Sequence, residues 1–502
     1  MMLAALALAP QVVLAARATH STHSTRAAEN DAIELQPEQP FSGELHRLTE
    51  TRQDFEFEVP EGSVFLCPKA RSPAGDVDLF TGPGEPPDDL EFAPLSSMGA
   101  TGVERLVADR LGETPISAGT WWASVATPEW DPLRDRPAST PRLAYTLELV
   151  ILAARTDAVL APGEIRSFSL DPDSGGFRTF RIDVPKEAQA LRVDLHRVPA
   201  NLDLFARIGR PMTTLETAQA RARNEWGAET LLISRTSKPS LVDGPWFVDV
   251  MDALTATAVT PFEIRVSFDE APPPEWSKPP VLLPGDPAKP LSRALAATLE
   301  VFSDGMGGGG GSATLVTSDG LLLSNAHVVD RGDGTPVESL VFAANLDPRR
   351  PPEEAFRGKV VRFDAKKDLA LLQIDRTFYG APLPQGYRFP TVELGREEDL
   401  AIGDPLWIVG YPSLGGTGSR VSIHCARGVL SGFSLEESGL LVKTDASVIP
   451  GNSGGAALDE RCRLIGVTSL NVYDEFGSVG LIAPLSLLSA DWRAEIDARR
   501  AR

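Results

Sequence analysis

Cysteine is scarce. Cys67, Cys425 and Cys462 are the only three in a chain of 502 residues, so no disulfide framework can organise the fold. Cys67 has no partner in its own part of the chain, and spacing alone leaves a Cys425–Cys462 bridge open. Basic side chains are also in deficit: 48 Lys and Arg stand against 69 Asp and Glu, a net charge of −21. A field of that sign argues against nucleic acid or an anionic membrane as partner, because phosphates are met by Lys and Arg. Self-repulsion that keeps the chain soluble explains the charge without any function. A membrane-spanning run is missing too. The first 16 residues are apolar apart from Gln11, which is too short for a span. Ala16-Arg17-Ala18 follows them as a small-x-small cleavage site. Residues 1–18 therefore read as an export signal, although no basic side chain precedes the apolar run, and the expected location is secreted or periplasmic.

What is present is ordinary globular material, with 42% hydrophobic and 23% charged residues, in a length that suits about three domains. Residues 19–37 are expected to be a disordered Ser/Thr/His-rich tail. Beyond them the chain repeats. Asp54-Phe-Glu-Phe-Glu-Val-Pro60 returns as Thr179-Phe-Arg-Ile-Asp-Val-Pro185, Asp76-Val-Asp-Leu-Phe80 as Asn201-Leu-Asp-Leu-Phe205, and Gly119-Thr-Trp-Trp122 as Gly244-Pro-Trp-Phe247, all at an offset of 125 residues. Glu104 and Arg110 return as Glu229 and Arg235 at the same offset. A constant offset over separated blocks marks a tandem duplication. Phe55, Phe57 and Val59 alternate with charged residues, as do Phe180, Ile182 and Val184. That period fits half-buried strands, and Gly, Pro and Asp turns between them point to two antiparallel β-sandwiches over 38–152 and 156–270. The tryptophans after Gly119 and Gly244 are expected to be core anchors.

These copies resemble the bacterial pre-peptidase C-terminal type of domain, through the extended strand, the Asp-x-Asp-Leu-Phe block or its Asn variant, and the late Gly-x-Trp. The resemblance implies company with secreted peptidases and, in some relatives, calcium. Asp76 with Asp78, and Asn201 with Asp203, are the oxygen ligands such a site would use. Two carboxylates are too few for a cage, and Asp at a tight turn also serves local hydrogen bonding. A proline-dense stretch, 271–290, is expected to act as an extended spacer. Residues 291–502 form the last domain.

The last domain holds the chemistry. Asp445-Ala-Ser-Val-Ile-Pro-Gly-Asn-Ser-Gly-Gly455 places Ser453 in a turn that depends on glycine, with backbone N–H groups converging beside its hydroxyl. An acyl-transfer nucleophile beside an oxyanion hole needs that arrangement. Two of the six histidines, His327 and His424, lie in this domain. His327 follows the hairpin of Gly311–Gly320 and Leu321–Val329, whereas His424 sits in an alternating strand, on the opposite face from Cys425. Asp368 stands before the apolar run Leu369–Ile374, where a carboxylate entering the core needs a partner, and a histidine N–H supplies one. Asp364 and Asp375 flank the region less suitably. The five glycines 307–311 are expected to form a flexible loop.

Asn325-Ala-His-Val-Val329, Lys367-Asp-Leu-Ala-Leu-Leu372 and Thr444-Asp-Ala-Ser-Val-Ile-Pro-Gly-Asn-Ser-Gly-Gly455, in that order, resemble the HtrA (Deg) type of trypsin-like serine protease. The resemblance implies two six-stranded β-barrels with the site between them. It makes His327 the base and then the acid, Asp368 its orienting group and Ser453 the nucleophile. The oxyanion hole falls at Gly451 and Ser453, with Asn452 between them. No cofactor is implied, and protein or peptide substrates are. The chain stops at Arg502, soon after the last expected strand, so no PDZ domain is expected and the usual trimer is not implied. Asn452 stands where digestive zymogens carry the Asp that captures a new N-terminus. Ser447 and Gly466–Ser469 suggest small or medium apolar P1 residues. The competing functions are an inactive barrel that only binds, and a non-peptidase acyl hydrolase. For the latter no helix-forming segment follows Ser453. If the sandwiches only recruit substrate or surface material, deleting 32–270 should leave hydrolysis intact.

Overall fold

A computed structural model describes residues 32–501, apart from 47–48, 74, 99–102, 110–115, 128–141, 173–174, 214, 225, 253–258, 273, 275, 283–288, 304–309, 413–420 and 475–476. The expected export signal, Arg110 and Gly307–Gly309 lie outside the described residues. The chain is mainly β, with two tandem sandwiches followed by two closed six-stranded barrels.

Alternation becomes burial as the side-chain period of a strand requires. In Arg52–Val59, Phe55, Phe57 and Val59 are buried and Glu56 and Glu58 exposed, and Phe177–Val184 repeats the pattern. Each such aromatic adds about 1.5–3 kcal/mol when taken out of water. In each copy one five-stranded sheet pairs that strand with Gly119–Ala126, or with its counterpart Gly244–Asp252. The facing sheet joins Arg142–Ala153 to Ser63–Arg71 in the first copy and Thr260–Ser267 to Ala190–His196 in the second. Trp121 and Trp246 lie at the two sandwich centres, 0% and 1% exposed. Their indole N–H groups donate to Ser117 (2.9 Å) and Val242 (2.8 Å), the carbonyls four residues back in both copies, so neither leaves an unmet donor in the core.

Three expectations change. Ile33–Glu34 and Ala158–Val159 pair in parallel with Arg52–Val59 and Phe177–Val184, so neither sandwich is wholly antiparallel. The first of these strands, with Leu35 buried behind it, falls inside the stretch 19–37 that reads as a disordered tail; an apolar Ile-x-Leu pair next to an open sheet edge outweighs the polar residues around it. The proline-dense stretch is also no free spacer. Trp276 stacks on His196 at 4.6 Å between ring centroids and lies against Tyr379 at 5.7 Å, and the Tyr387 hydroxyl donates to Pro280 at 3.0 Å.

The modules are therefore packed together. Val64, Phe65 and Cys67 of the first sandwich meet Phe177, Phe205, Met212 and Met251 of the second. Trp226 and Ala228 of the second meet Phe302, Val341, Ala343 and Phe378 of the first barrel. Beside that apolar contact the buried Glu354 accepts the N–H groups of Gly227 (3.0 Å) and Ala228 (3.1 Å), donors that a carboxylate removed from water requires.

Each barrel runs through its first three strands in order and then through its sixth, fifth and fourth before closing. The first spans Thr298–Ser303 to Leu369–Thr377 and the second Pro405–Gly410 to Gly477–Pro484. The helix Ala490–Arg500 follows and buries Trp492 and Ile496.

Candidate active site

The Ser453 turn explains its own sequence. Asn452 N–H donates to the Ile449 carbonyl at 3.0 Å, closing a four-residue turn with Pro450 at its second position and Gly451, φ +94°, at its third. That is the arrangement of a type II turn, which asks for Pro and then Gly. A side chain at Gly454 would run into the Ser312 carbonyl and the Ser324 hydroxyl of the first barrel, so the glycine lets the two barrels close on one another. The Asn452 N–H is thus used within the turn, so of the stretch 451–453 expected at the oxyanion hole Asn452 contributes no free donor. Among the described residues, the N–H groups of Gly451 and Ser453 have no acceptor.

His327 opens the short 3-10 turn His327–Val329, after the strand Leu321–Ser324. Asp368 sits at φ +54° in the turn just before Leu369–Thr377, a left-handed conformation that Asp tolerates better than most residues. The two strands pair, from Leu321 opposite Gln373 to Ser324 opposite Ala370, and so bring both residues to one barrel rim. His327 Nδ1 lies 2.8 and 2.9 Å from the Asp368 carboxylate oxygens, and the His327 backbone N–H donates to Oδ1 at 3.0 Å. An ionised carboxylate can only accept, so Nδ1 carries the proton and Nε2 of the neutral ring keeps its lone pair. Asn325 Nδ2 donates to the Asp368 carbonyl at 2.9 Å.

Ser469 joins this pair to the Ser453 turn. Its hydroxyl donates to Asp368 Oδ2 at 2.7 Å, and its carbonyl accepts the Ser453 hydroxyl at 3.0 Å. Burial would raise the Asp368 carboxyl, but the hydrogen bonds and charge of His327, with the Ser469 hydroxyl, outweigh it and hold the group below the usual carboxylate range. The structure thus hydrogen-bonds His327 to Asp368 directly, and brings Ser453 to them through Ser469. Sequence reasoning had named Ser469 only as a pocket wall; nothing in a strand residue of Val467-Thr-Ser469 signals a contact with a residue 101 positions away.

The discounted candidates have other duties. Asp364 accepts the N–H groups of Lys366 (3.1 Å) and Lys367 (3.0 Å), and Asp375 pairs with Arg376. His424 begins the strand His424–Glu436. Cys425 and Cys462 are both free thiols, as is Cys67. Among the described residues no group of three or more His, Cys, Asp and Glu side chains is arranged to hold a metal. Of the calcium candidates, Asp203 is occupied by Arg223 at 2.9 Å, while the carboxyl of Asp78, half-buried near Asp76 and Glu104, is pushed up to about 7. Among the described residues no helix is long and apolar enough to cross a membrane.

Two closed barrels of equal topology, with a His–Asp pair on one and a glycine-framed serine on the other, define a class. Residues 311–467 match the trypsin-like peptidase domain, and this part of the chain is such a domain. It is 32% identical over 190 residues to a protein named putative serine protease HhoA of Synechocystis, covering 36% of this chain and 42% of that protein. It is 30% identical over 175 residues to a probable periplasmic serine endoprotease DegP-like of Pseudomonas putida, covering 34% and 31%. The chain thus spans less than half the length of these two relatives. A solved structure described as HtrA-type protease AlgW with tripeptide aligns over 42% of this chain and 64% of its own, at 25% identity and a TM-score of 0.33.

Proposed function

We propose that this chain is a secreted or periplasmic serine endopeptidase that works through Ser453, His327 and Asp368. The observation that carries the reading is the continuous hydrogen-bonded set Ser453–Ser469–Asp368–His327, which runs from the second barrel to the first. In the reaction the Ser453 hydroxyl leaves the Ser469 carbonyl and turns to Nε2 of His327. Oγ bonds to the substrate carbonyl carbon as its proton passes to Nε2, and the imidazolium so formed is stabilised by the ionised Asp368. The carbonyl oxygen takes up the negative charge against the N–H groups of Gly451 and Ser453. His327 then returns the proton to the leaving amine, an acyl-Ser453 remains, and water releases it by the same steps. No cofactor takes part.

The export segment and the periplasmic description of one relative favour a location outside the cytoplasm. The two sandwiches, similar to pre-peptidase C-terminal domains, present substrate proteins or cell-surface material to the site. Small or medium apolar residues are accepted at P1.

A fluorophosphonate probe should label Ser453, and Ser453→Ala should abolish both the labelling and the cleavage of casein. Labelling without cleavage across a peptide library would favour a different acyl hydrolase. A chain that never reacts would favour a barrel that only binds.

A further inference from the structure

We infer that Ser312, on the first barrel, is a positioning residue that holds the oxyanion turn of the second barrel in its working form. The inference rests on the peptidase reading above and concerns the same site. Ser312 lies in the strand Gly310–Leu315 and is fully buried. Its hydroxyl oxygen accepts the Tyr411 N–H at 2.9 Å, and its proton is directed to the Gly451 carbonyl, also at 2.9 Å. Its backbone N–H donates to the Ser453 carbonyl at 2.8 Å. One residue thus grips the carbonyls on both sides of Asn452.

Such a grip answers a freedom that the sequence creates. The Pro450–Gly451 peptide carries the Gly451 N–H, and a type II turn can interconvert with a type I turn by rotating that peptide. Glycine opposes the rotation little, since it accepts both signs of φ. After the rotation the N–H would point away from the oxyanion. The side chain inside the turn does not prevent this: Asn452 is fully buried, yet among the described residues neither its Oδ1 nor its Nδ2 has a partner. The Ser312 hydroxyl instead fixes the next peptide plane through the Gly451 carbonyl. It also references that plane to the barrel that carries His327 and Asp368.

Ser312→Ala should lower kcat for a peptide substrate about ten- to a hundredfold with KM unchanged, somewhat less than the loss of a whole oxyanion donor. Affinity for a peptide aldehyde, whose adduct places an oxyanion in the hole, should fall in parallel, while affinity for the product peptide should not. Ser312→Thr keeps the hydroxyl and should retain most of kcat. Ser312→Cys fills the space with a poor donor, should fall with alanine, and preserves the readout if the alanine variant does not fold. A lower Tm with kcat and aldehyde affinity intact would overturn the inference, as would normal turnover in the cysteine variant. Fluorophosphonate labelling of the unaltered chain separates the two levels. If the unaltered chain is unreactive, the peptidase reading fails; if it reacts and the variants equal it, only the role of Ser312 fails.

Discussion

The two sandwiches share blocks of sequence at an offset of 125 residues, and the places where they differ show what the fold requires and what it leaves free. At the cross-strand pair Asp54 opposite Ser124, the serine hydroxyl donates to the carboxylate at 2.5 Å. In the second copy the acid and the hydroxyl have traded strands: Thr179 stands opposite Asp249 and donates to it at 2.5 Å. The interaction is present in both copies although both residues differ, because a carboxylate removed from water, wholly at Asp249 and partly at Asp54, needs a donor whichever strand bears it. The register and the tryptophan anchors are likewise held in common.

Other positions diverged with a consequence. Ala228 is buried against the first barrel, whereas its counterpart Val103, at the offset of 125, is 48% exposed. Arg223 neutralises Asp203, while the first copy has the exposed Met98 in its place and leaves Asp78 among other acids. The second sandwich is packed against the first barrel; the first is attached only through the second among the contacts described. Deletion of 32–270 would bare Phe302, Val341 and Phe378, so it should cost stability of the barrels whatever the sandwiches recruit.

The contrast is broken most sharply at the barrel contact. Trp226→Ala should cost about 3–5 kcal/mol, the usual range for a buried aromatic, and Val103→Ala within about 0.5 kcal/mol, as for an exposed site; urea unfolding followed on the whole chain would compare them. Equal effects would mean that the two faces do the same work.

A smaller effect tests the exchanged pair. Asp54→Ala and Ser124→Ala should each destabilise by about 1 kcal/mol or more. Trading the two residues in one double variant, Asp54→Ser with Ser124→Asp, should recover most of the loss, with a coupling of about 0.5–3 kcal/mol. If the traded pair is as weak as the sum of the single changes, the duplication argument at this site loses its physical basis.

The smallest effect is electrostatic. Asp78 rises from 3.8 to about 7 through burial first, then repulsion from Asp76 and Glu104. Between those pH values the folded chain holds a proton that the unfolded chain has lost, so stability declines as pH rises from 4 toward 7. Asp78→Asn should flatten that slope and raise Tm by a few degrees at pH 8, with no gain at pH 4. Glu229, pushed to about 8 chiefly by burial, gives the second sandwich a decline of the same sign that continues to higher pH. A titration in which Asp78→Asn leaves the slope untouched would assign it to the other raised carboxyls, Asp203 and Glu229 of the second copy and Glu353 of the first barrel.

Much of this was legible beforehand because local rules sufficed. Alternation placed Phe55, Phe57 and Val59 inward, the hairpin of residues 311–329 set the strands beside His327, and the glycines around Ser453 announced a tight turn. The parallel edge strand Ile33–Glu34 was not legible, since two residues are too few to show a period. Nor was the docking of Trp276 on His196 and Tyr379, because proline content describes backbone stiffness and says nothing about which surface lies alongside.

By itself the sequence determined the matching blocks at an offset of 125 residues, and the strand periods and the turn at Ser453, which depend on neighbours within a few positions. Tertiary structure decided the rest: that Ser469 links Ser453 to Asp368, that Asn452 uses its N–H within the turn, that Ser312 reaches across from the other barrel, and that one sandwich of two adheres to the first barrel. Each of these depends on the closure of a barrel or the meeting of two surfaces, and such contacts join residues far apart along the chain, where no local pattern carries their signature.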